Sequence, residues 1–511
     1  MKNIFKYTFA LLAIGFVSCE PEFDNPVTDS GFYTSGTANF SKFVSVGNSL
    51  TAGYADGALY ITGQENSYPN IMAQQFGFVG GGEFKQPLMN DNIGGLLLNG
   101  TQIAENRFVL AVGPSGNPGP VRLVGSPTTD ITNKLSGPFN NMGVPGAKSF
   151  HLVAPGYGNI AGVPMGAANP YFARFASSES TTVIADAAAQ KGTFFTLWIG
   201  NNDILSYATS GGSGVDQTGN FDPSTYGGND ITDPNVFASV YSQQVDALTA
   251  DGAKGVLVNI PEVTSIPYFT TVPRNAIPLD AATAAQLNAQ FDAYNTQVLP
   301  GLVGVGIISP EEAALRKIQF SAGQNYPIMT DDDLTDVSQI LQGPPFNLPV
   351  QLATLLGQLR QVKDNDLMVL TSSSILGTVP DPNNPQGVIG VSIPLSDQYV
   401  LTATEQTRVT AATMAYNATI QGLASGKGLA FVDAKAAMSR LAQGGIVYEG
   451  GILTSQFVTG GAFSLDGVHP TPRGYAYVAN LMIRAINETY DATVPRVYIG
   501  DYPTITLHNN P

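Results

Sequence analysis

Three histidines limit the acid–base chemistry that this chain of 511 residues can perform. One of them, His469, follows Asp466 by three residues, just before a predicted helix. A carboxylate at that spacing on a turn can reach the imidazole and keep one ring nitrogen protonated, which leaves the other nitrogen free to act as a base. The alternative is an ordinary capped helix start. His151 lies in an apolar stretch and is predicted to be structural, and His508 lies in the C-terminal tail.

The hydroxyl best placed to work with such a base is that of Ser49. It follows Gly47 at the end of a buried strand that the sequence predicts over residues 41–46. Open parallel sheets present ligands and catalytic groups at the carboxyl ends of their strands. A serine hydroxyl becomes a good nucleophile when a neutral imidazole takes its proton. The competing interpretation is that Ser49 only caps a helix, since serine is a preferred capping residue.

Two further stretches carry groups that can stabilise an oxyanion. Asn202 lies in a Gly-Asn-Asn-Asp sequence at 200–203, directly after a buried strand predicted over 194–199. Its carboxamide can donate a hydrogen bond to developing negative charge. Gly146, in the stretch 141–147, allows close approach of the backbone, so its N–H can donate as well. The competing interpretation of the first stretch is an asparagine-rich turn.

The elements around these residues alternate between strands and helices. Buried strands are predicted over 41–46, 194–199, 256–260 and 429–432, and helices over 68–76, 233–252, 404–424 and 473–490. This alternation indicates an α/β fold in which helices cover both faces of a parallel sheet. The apolar run at 367–370 is predicted as a further strand of that sheet.

Two long stretches rich in Gly, Asn and Pro, at about 78–138 and 262–400, are predicted to be insertions and not separate domains. A helix is predicted inside the second one, near 281–299. We expect the insertions to form the walls of a cleft. Their apolar runs at 95–98 and 349–356 are expected to line an apolar groove for hydrophobic acyl esters, unless they simply pack onto the domain.

The composition excludes several classes of function. The net charge is −16 and the basic residues form no run, so binding to nucleic-acid phosphates is excluded. Three histidines and one cysteine rule out a His/Cys zinc site and a disulfide within the chain.

The single cysteine, Cys19, follows a short apolar run with two lysines before it, which is too short to span a bilayer. This pattern resembles a bacterial lipoprotein signal, with a signal peptide at 1–18, a lipidated Cys19 and an acidic, Pro-containing tether at 19–38. The alternative is a buried free thiol after an ordinary secretory signal. The catalytic domain is then predicted over 39–495, with a C-terminal tail at 496–511. Acidic residues after the cysteine resemble surface-export signals, so we expect an outer-membrane lipoprotein exposed at the cell surface.

In their order along the chain, these stretches resemble the SGNH hydrolases, also called GDSL lipases and esterases. The matching blocks are 46–54, 141–146, 200–203 and 466–469. The stretch 463–475 is similar to the long bacterial members of the family. The resemblance implies a three-layer α/β/α sandwich with a flavodoxin-like parallel sheet of about five strands. One position departs from the pattern, because the family's aspartate before the serine is Asn48 in this chain.

The resemblance also implies a role for each site residue. Ser49 is expected to be the nucleophile, His469 its base and Asp466 the carboxylate that orients His469. The expected oxyanion donors are the N–H of Ser49, the N–H of Gly146 and the side chain of Asn202. No metal or cofactor is implied.

We therefore expect a serine ester hydrolase of the cell envelope that acts on lipid or other acyl esters. One alternative is a carbohydrate esterase that removes acetyl groups from glycans. Another is a glycan-binding surface lipoprotein without catalytic activity. The last alternative is disfavoured because sugar-binding platforms favour exposed tryptophan, and the only tryptophan, Trp198, falls in a predicted buried strand. The sequence favours no oligomeric state.

Overall fold

The computed structural model of the protein describes residues 32–112 and 116–508. The predicted signal peptide, the Cys19 lipidation site and most of the tether lie outside these residues. Within the described parts of the chain, no helix combines the length and the apolar character that crossing a membrane requires.

Five parallel strands form the central sheet. They are β1 (Phe43–Gly47), β2 (Asn141–Gly143), β3 (Phe194–Trp198), β4 (Lys254–Val258) and β5 (Ala430–Val432). Their order across the sheet is β5-β4-β3-β1-β2, and all four pairings are parallel. In this doubly wound order the chain changes direction across the sheet between β1 and β3. Ligands bind at the carboxyl ends of the strands beside such a switch point.

Helices cover both faces of the sheet or lead away from its carboxyl edge. They are α1 (Ser49–Ala52), α2 (Tyr68–Phe76), α3 (Val183–Ala189), α4 (Asn202–Thr209), α5 (Pro234–Thr249), α6 (Ala403–Lys427), α7 (Ala434–Gln443) and α8 (Pro472–Tyr490). Successive strand residues point to opposite faces. Val44 and Phe195 therefore pack with α3, α5 and α6, while Phe43 and Phe194 pack with α2 and α8. The three-layer α/β/α arrangement is confirmed.

The predicted sheet strand at 367–370 is wrong. Leu367–Met368 pairs antiparallel with Val400–Leu401, outside the central sheet. Met368 is buried in a small cluster with Val362 and Leu395, while Val369 belongs to the main core. The fifth sheet strand is β2, whose residues were interpreted only as part of an oxyanion loop.

The first insertion consists mainly of two β-hairpins. In one, Leu96–Leu98 pairs with Thr101–Ala104, and in the other Phe108–Val112 pairs with Pro118–Arg122. Leu96 packs with Ala52, just after the predicted nucleophile. The insertion therefore contacts the serine turn directly.

The second insertion is built from short helices and three two-stranded pairs. Its helices are Pro267–Thr270, Ala281–Ala293, Leu299–Gly304, Pro310–Arg316, Ser338–Gln342 and Val350–Leu356. Its strand pairs, besides the one described above, are Ile277–Leu279 with Gly323–Asn325 and Ile328–Thr330 with Leu359–Gln361. Leu302, Ile328 and Leu359 belong to a hydrophobic core of its own.

The C-terminal segment lies along α8. Asn480 exchanges two hydrogen bonds with the backbone of Val497, and Arg473 donates to the carbonyl of Tyr502. Ile499 is buried in the same hydrophobic cluster as α8. These contacts hold the helix that follows the predicted catalytic histidine.

Candidate active site

Ser49, His469 and Asp466 form one hydrogen-bonded chain. Ser49 follows β1 at the first position of α1, and its Oγ lies 2.9 Å from Nε2 of His469. Nδ1 of His469 lies 2.9 Å from Oδ2 of Asp466. A proton on Nδ1 satisfies both contacts, because Nδ1–H donates to the carboxylate and Nε2 accepts from the serine hydroxyl. The structure thus brings together the three residues predicted to act as nucleophile, base and orienting acid.

Asp466 is ionised in this arrangement. Burial raises its pKa, but the His469 imidazole and hydrogen bonds from the backbone outweigh that effect and lower the pKa to about 2. The N–H groups of Val468 and His469 donate to Oδ1 at 2.9 and 2.8 Å, and the N–H of Gly57 donates to Oδ2 at 2.9 Å. The carboxylate is therefore fixed in place and remains charged at neutral pH.

A turn that the sequence interpretation missed helps to hold this carboxylate. Asp56 has φ of +54°, a left-handed conformation that is uncommon for a residue other than glycine. Its side chain accepts from the N–H of Leu465 at 3.0 Å, and its own N–H donates to Oγ of Ser464 at 2.9 Å. The next residue, Gly57, donates to Asp466. The Asp56-Gly57 dipeptide is a turn signal in the sequence, but that signal does not say which segment the turn contacts.

Gly146 lies on the loop after β2 with φ of +79°, where a side chain would be strained. The carbonyl of the preceding Pro145 accepts from Nδ2 of Asn169 at 2.8 Å. Because C=O and N–H point in opposite directions across a trans peptide, this bond directs the N–H of Gly146 away from Asn169. Among the described residues that N–H has no acceptor, and the same is true of the N–H of Ser49.

Asn202 is the first residue of α4, at the carboxyl end of β3. Its Nδ2 donates one hydrogen to the carbonyl of Ala147 at 2.9 Å, which leaves the second hydrogen of the amide for a ligand. Asp203 accepts from the N–H and Oγ of Ser149 at 2.8 and 2.6 Å. These bonds tie the loop that carries Gly146 to the start of α4.

Asn48, the position at which the chain departs from the SGNH pattern it resembles, is completely buried. Its Oδ1 accepts from the N–H of Leu50 at 3.0 Å, and its Nδ2 donates to Oδ1 of Asn201 at 3.3 Å. An ionised aspartate has no hydrogen to donate to Asn201. The amide therefore suits both partners and links the serine turn to the start of α4.

Two cavities share a wall that includes His469 and Val468. The smaller one, about 110 Å³, reaches from Ser49 past the carboxyl ends of β3 to β5 and along α7 and α8. The larger one, a cleft of about 1050 Å³, has walls from both insertions, including Phe108 and Tyr268. Neither is lined by the apolar runs at 95–98 and 349–356.

The expectation that these two runs line a groove is therefore wrong. Leu96 is buried in a cluster under the first insertion, and Ala353 and Leu356 are buried in the core of the second. An apolar run does not show which of its residues are buried or what they pack against, and in the second run Val350 and Leu352 are exposed.

The other two histidines lie outside the site. Nδ1 of His151 accepts from the N–H of Lys148 at 3.0 Å, and the ring stacks on Tyr157 at 4.6 Å. Burial, with a smaller effect from Lys148, lowers the pKa of His151 to about 4, so the ring is neutral at pH 7. The backbone of His508 pairs with Leu110.

One group of carboxylates among the described residues has ligand atoms close enough to hold a metal ion. Asp331, Asp332 and Asp397 offer oxygens within 4.8 Å of one another. Arg360 forms an ion pair with Asp331, and none of the three carboxylates lines either cavity. This cluster is thus separate from the candidate active site.

Comparison of the chain with models of known families, with curated proteins and with solved structures finds no match. Function is therefore inferred from the geometry of the site.

Proposed function

We propose that this protein is a serine hydrolase of the SGNH type that cleaves carboxylic esters through an acyl-enzyme intermediate. The observation that carries the proposal is the chain of two 2.9 Å contacts from Ser49 through His469 to Asp466. Hydrogen-bond donors with no acceptor among the described residues lie on the neighbouring turns. A nucleophile, its base, an orienting acid and oxyanion donors are the parts that acyl transfer requires.

The reaction follows from the protonation states. Nε2 of His469 takes the serine proton as Oγ attacks the ester carbonyl, and ionised Asp466 stabilises the resulting imidazolium. The N–H groups of Ser49 and Gly146 and the amide of Asn202 then donate to the oxyanion. His469 returns the proton to the departing alcohol. A water molecule, activated by the same imidazole, releases the acid and restores the serine.

The proposed substrates are lipid or other acyl esters of the cell envelope. Trp198, Ala437 and Leu481 line the smaller cavity beside Ser49, so a hydrocarbon group can be buried there. The place in the envelope follows from the lipoprotein signal at Cys19. Lipidation of that cysteine would bring the domain to a membrane without a spanning helix.

A second candidate, removal of acetyl groups from glycans, is favoured by the size and polarity of the larger cleft. Tyr268, Arg122, Thr209 and Ser206 face it, and such groups can bind a sugar. A non-catalytic sugar-binding role has less support. The only tryptophan, Trp198, is 4% exposed and is not available as a surface platform.

The proposal is tested with a fluorophosphonate, which reacts with activated serines. Intact mass and peptide mapping of the labelled full-length protein should place one adduct on Ser49. The Ser49→Ala variant should not react. Ser373→Ala is the matched control, because Ser373 lines the cleft and its hydroxyl bonds only to the Leu370 carbonyl. Absence of label on Ser49 in the folded protein would refute the proposal.

A rate panel separates the two catalytic candidates. Simple p-nitrophenyl esters and acetylated oligosaccharides are compared by kcat/KM at one pH. Higher values for the simple esters support the acyl-ester hydrolase. Higher values for acetylated xylan fragments support the carbohydrate esterase.

A further inference from the structure

The smaller cavity has its polar groups at one end and hydrocarbon along the rest. Asn48, Asn201 and Asn202 lie with Ser49 and His469 at the polar end. Beyond them the walls are formed mainly by aliphatic and aromatic side chains, among them Trp198, Val258, Ala437, Met438, Leu441 and Leu481. A ligand that fits this pattern has one polar group beside Ser49 and a hydrocarbon tail behind it.

An acyl group has this distribution, whereas the alcohol part of a glycan ester does not. Sugar hydroxyls placed along α7 and α8 would lose their hydrogen bonds to water without gaining partners, and each such loss is costly. A carbonyl held at Ser49 would find donors at the polar end, while its alkyl tail needs none. The cavity therefore discriminates between the two halves of an ester.

The volume of the cavity limits the length of the tail. An apolar cavity of about 150 Å³ accommodates benzene, which has six carbons. The cavity beside Ser49 is smaller, about 110 Å³. By proportion it accommodates roughly four carbons, so the remaining carbons of a long fatty-acyl chain would not be buried in it.

We propose that this cavity is the acyl subsite and that it selects short acyl chains of about three to five carbons. The alcohol half of the ester then occupies the larger cleft, which the two insertions enclose. This inference rests on the proposed ester hydrolase function and adds to it a substrate class and a size limit. It also assigns the two insertions to recognition of the alcohol.

Ala437 offers the most direct test of this subsite. It is 4% exposed and lines the cavity from α7, so Ala437→Leu should fill part of the space meant for the tail. Ala436→Leu is the matched control, because Ala436 is the preceding residue on α7, is only partly buried and does not line the cavity. Activity on an acetyl ester shows that each variant is folded.

The measurement is kcat/KM for p-nitrophenyl acetate, butanoate and octanoate. Wild type should prefer butanoate and hydrolyse octanoate at least about tenfold more slowly. Ala437→Leu should lower the butanoate-to-acetate ratio about tenfold, and Ala436→Leu should leave it unchanged. In the opposite direction, Leu481→Ala should raise the octanoate-to-butanoate ratio about tenfold, since Leu481 lines the cavity from α8.

The possible failures are distinguishable. If Ala437→Leu and Leu481→Ala keep the wild-type ratios, or if wild type prefers octanoate, the subsite is wrong while ester hydrolysis at Ser49 stands. If wild type cleaves no ester and Ser49 takes no fluorophosphonate label, the proposed function fails, and the subsite fails with it. Should Ala437→Leu not fold, the Leu481→Ala ratio alone decides.

Discussion

The proposed catalytic residues and the proposed oxyanion donors are held in different ways. Ser49, His469 and Asp466 bond to one another through their side chains, so each depends on the next. The donor groups instead depend on bonds to the backbone of the loop after β2, since Asn169 fixes the peptide before Gly146 and Asn202 donates to the carbonyl of Ala147. Removal of one of the three proposed catalytic residues should therefore abolish the function of all three. Removal of one donor should remove only that donor's contribution to stabilising the oxyanion.

The largest expected effect comes from the catalytic residues. Ser49→Ala and His469→Ala should each lower kcat by about 10⁶, and the double variant should be no worse, because residues that act as a unit are not additive. The measurement is kcat on one ester, with circular dichroism as the control for folding. A folded Ser49→Ala protein that keeps more than a few percent of wild-type activity would show that the serine is not the nucleophile.

Removal of one oxyanion donor should lower kcat by less than removal of Ser49 or His469. Asn202→Ala leaves the catalytic chain intact and removes one contact to the oxyanion, so kcat should fall by about 10² to 10³. KM should change much less, because that contact strengthens only in the transition state. If Asn202→Ala is as inactive as Ser49→Ala, the contrast between the two sets of residues is wrong.

The lowered pKa of Asp466 should also make the free energy of unfolding depend on pH. Its pKa of about 2 in the folded protein is below the ordinary value of 3.8. This difference stabilises the fold by about 2 kcal/mol above pH 4, and the stabilisation is lost as pH falls through about 2. Urea unfolding of wild type and Asp466→Asn, at pH 5 and at pH 2.5, should show their difference in unfolding free energy shrinking at the lower pH. A pH-independent difference contradicts the depressed pKa.

The smallest expected effect concerns the anchor of one donor. Asn169→Asp keeps an acceptor for the N–H groups of Tyr171 and Phe172, which Asn169 caps, but it has no hydrogen for the Pro145 carbonyl. We expect a loss of up to about tenfold in kcat and a modest fall in Tm, because Asn169 is buried and the Pro145 carbonyl loses its donor. Asn169→Ala loses the cap as well and should lower Tm. Equal kcat in wild type and Asn169→Asp would show that the Pro145 bond does not position the donor.

The sequence predicted the largely apolar strands of the sheet better than the one strand that has no apolar run. Strands β1, β3, β4 and β5 were found because strands covered on both faces are continuous apolar runs. The strand β2 was missed because its residues, Asn-Met-Gly, do not form an apolar run, whereas the equally short β5, Ala-Phe-Val, does. The run at 367–370 was placed in the wrong sheet because burial alone does not identify the neighbouring strand.

The same limit applies to the site. The sequence placed Ser49, Asn202 and His469 where the carboxyl ends of strands and a helix start converge, and the structure brings these residues together. It did not reveal the Asp56-Gly57 turn, whose bonds to Ser464 and Asp466 join positions more than 400 residues apart. Contacts of that kind depend on the folded path of the chain and leave no local pattern.

Ser49 and His469 are 420 residues apart in the chain, so they are synthesised at different times. A ribosome adds about 5 to 20 residues per second, so the base follows the nucleophile by roughly 20 to 80 seconds. During that interval the serine has neither its histidine nor the carboxylate behind it. A growing or half-folded chain therefore carries an ordinary alcohol at position 49, and under the proposed mechanism Ser49 can attack an ester only after the turn before α8 has docked. The wide spacing therefore keeps Ser49 unactivated until the fold is complete.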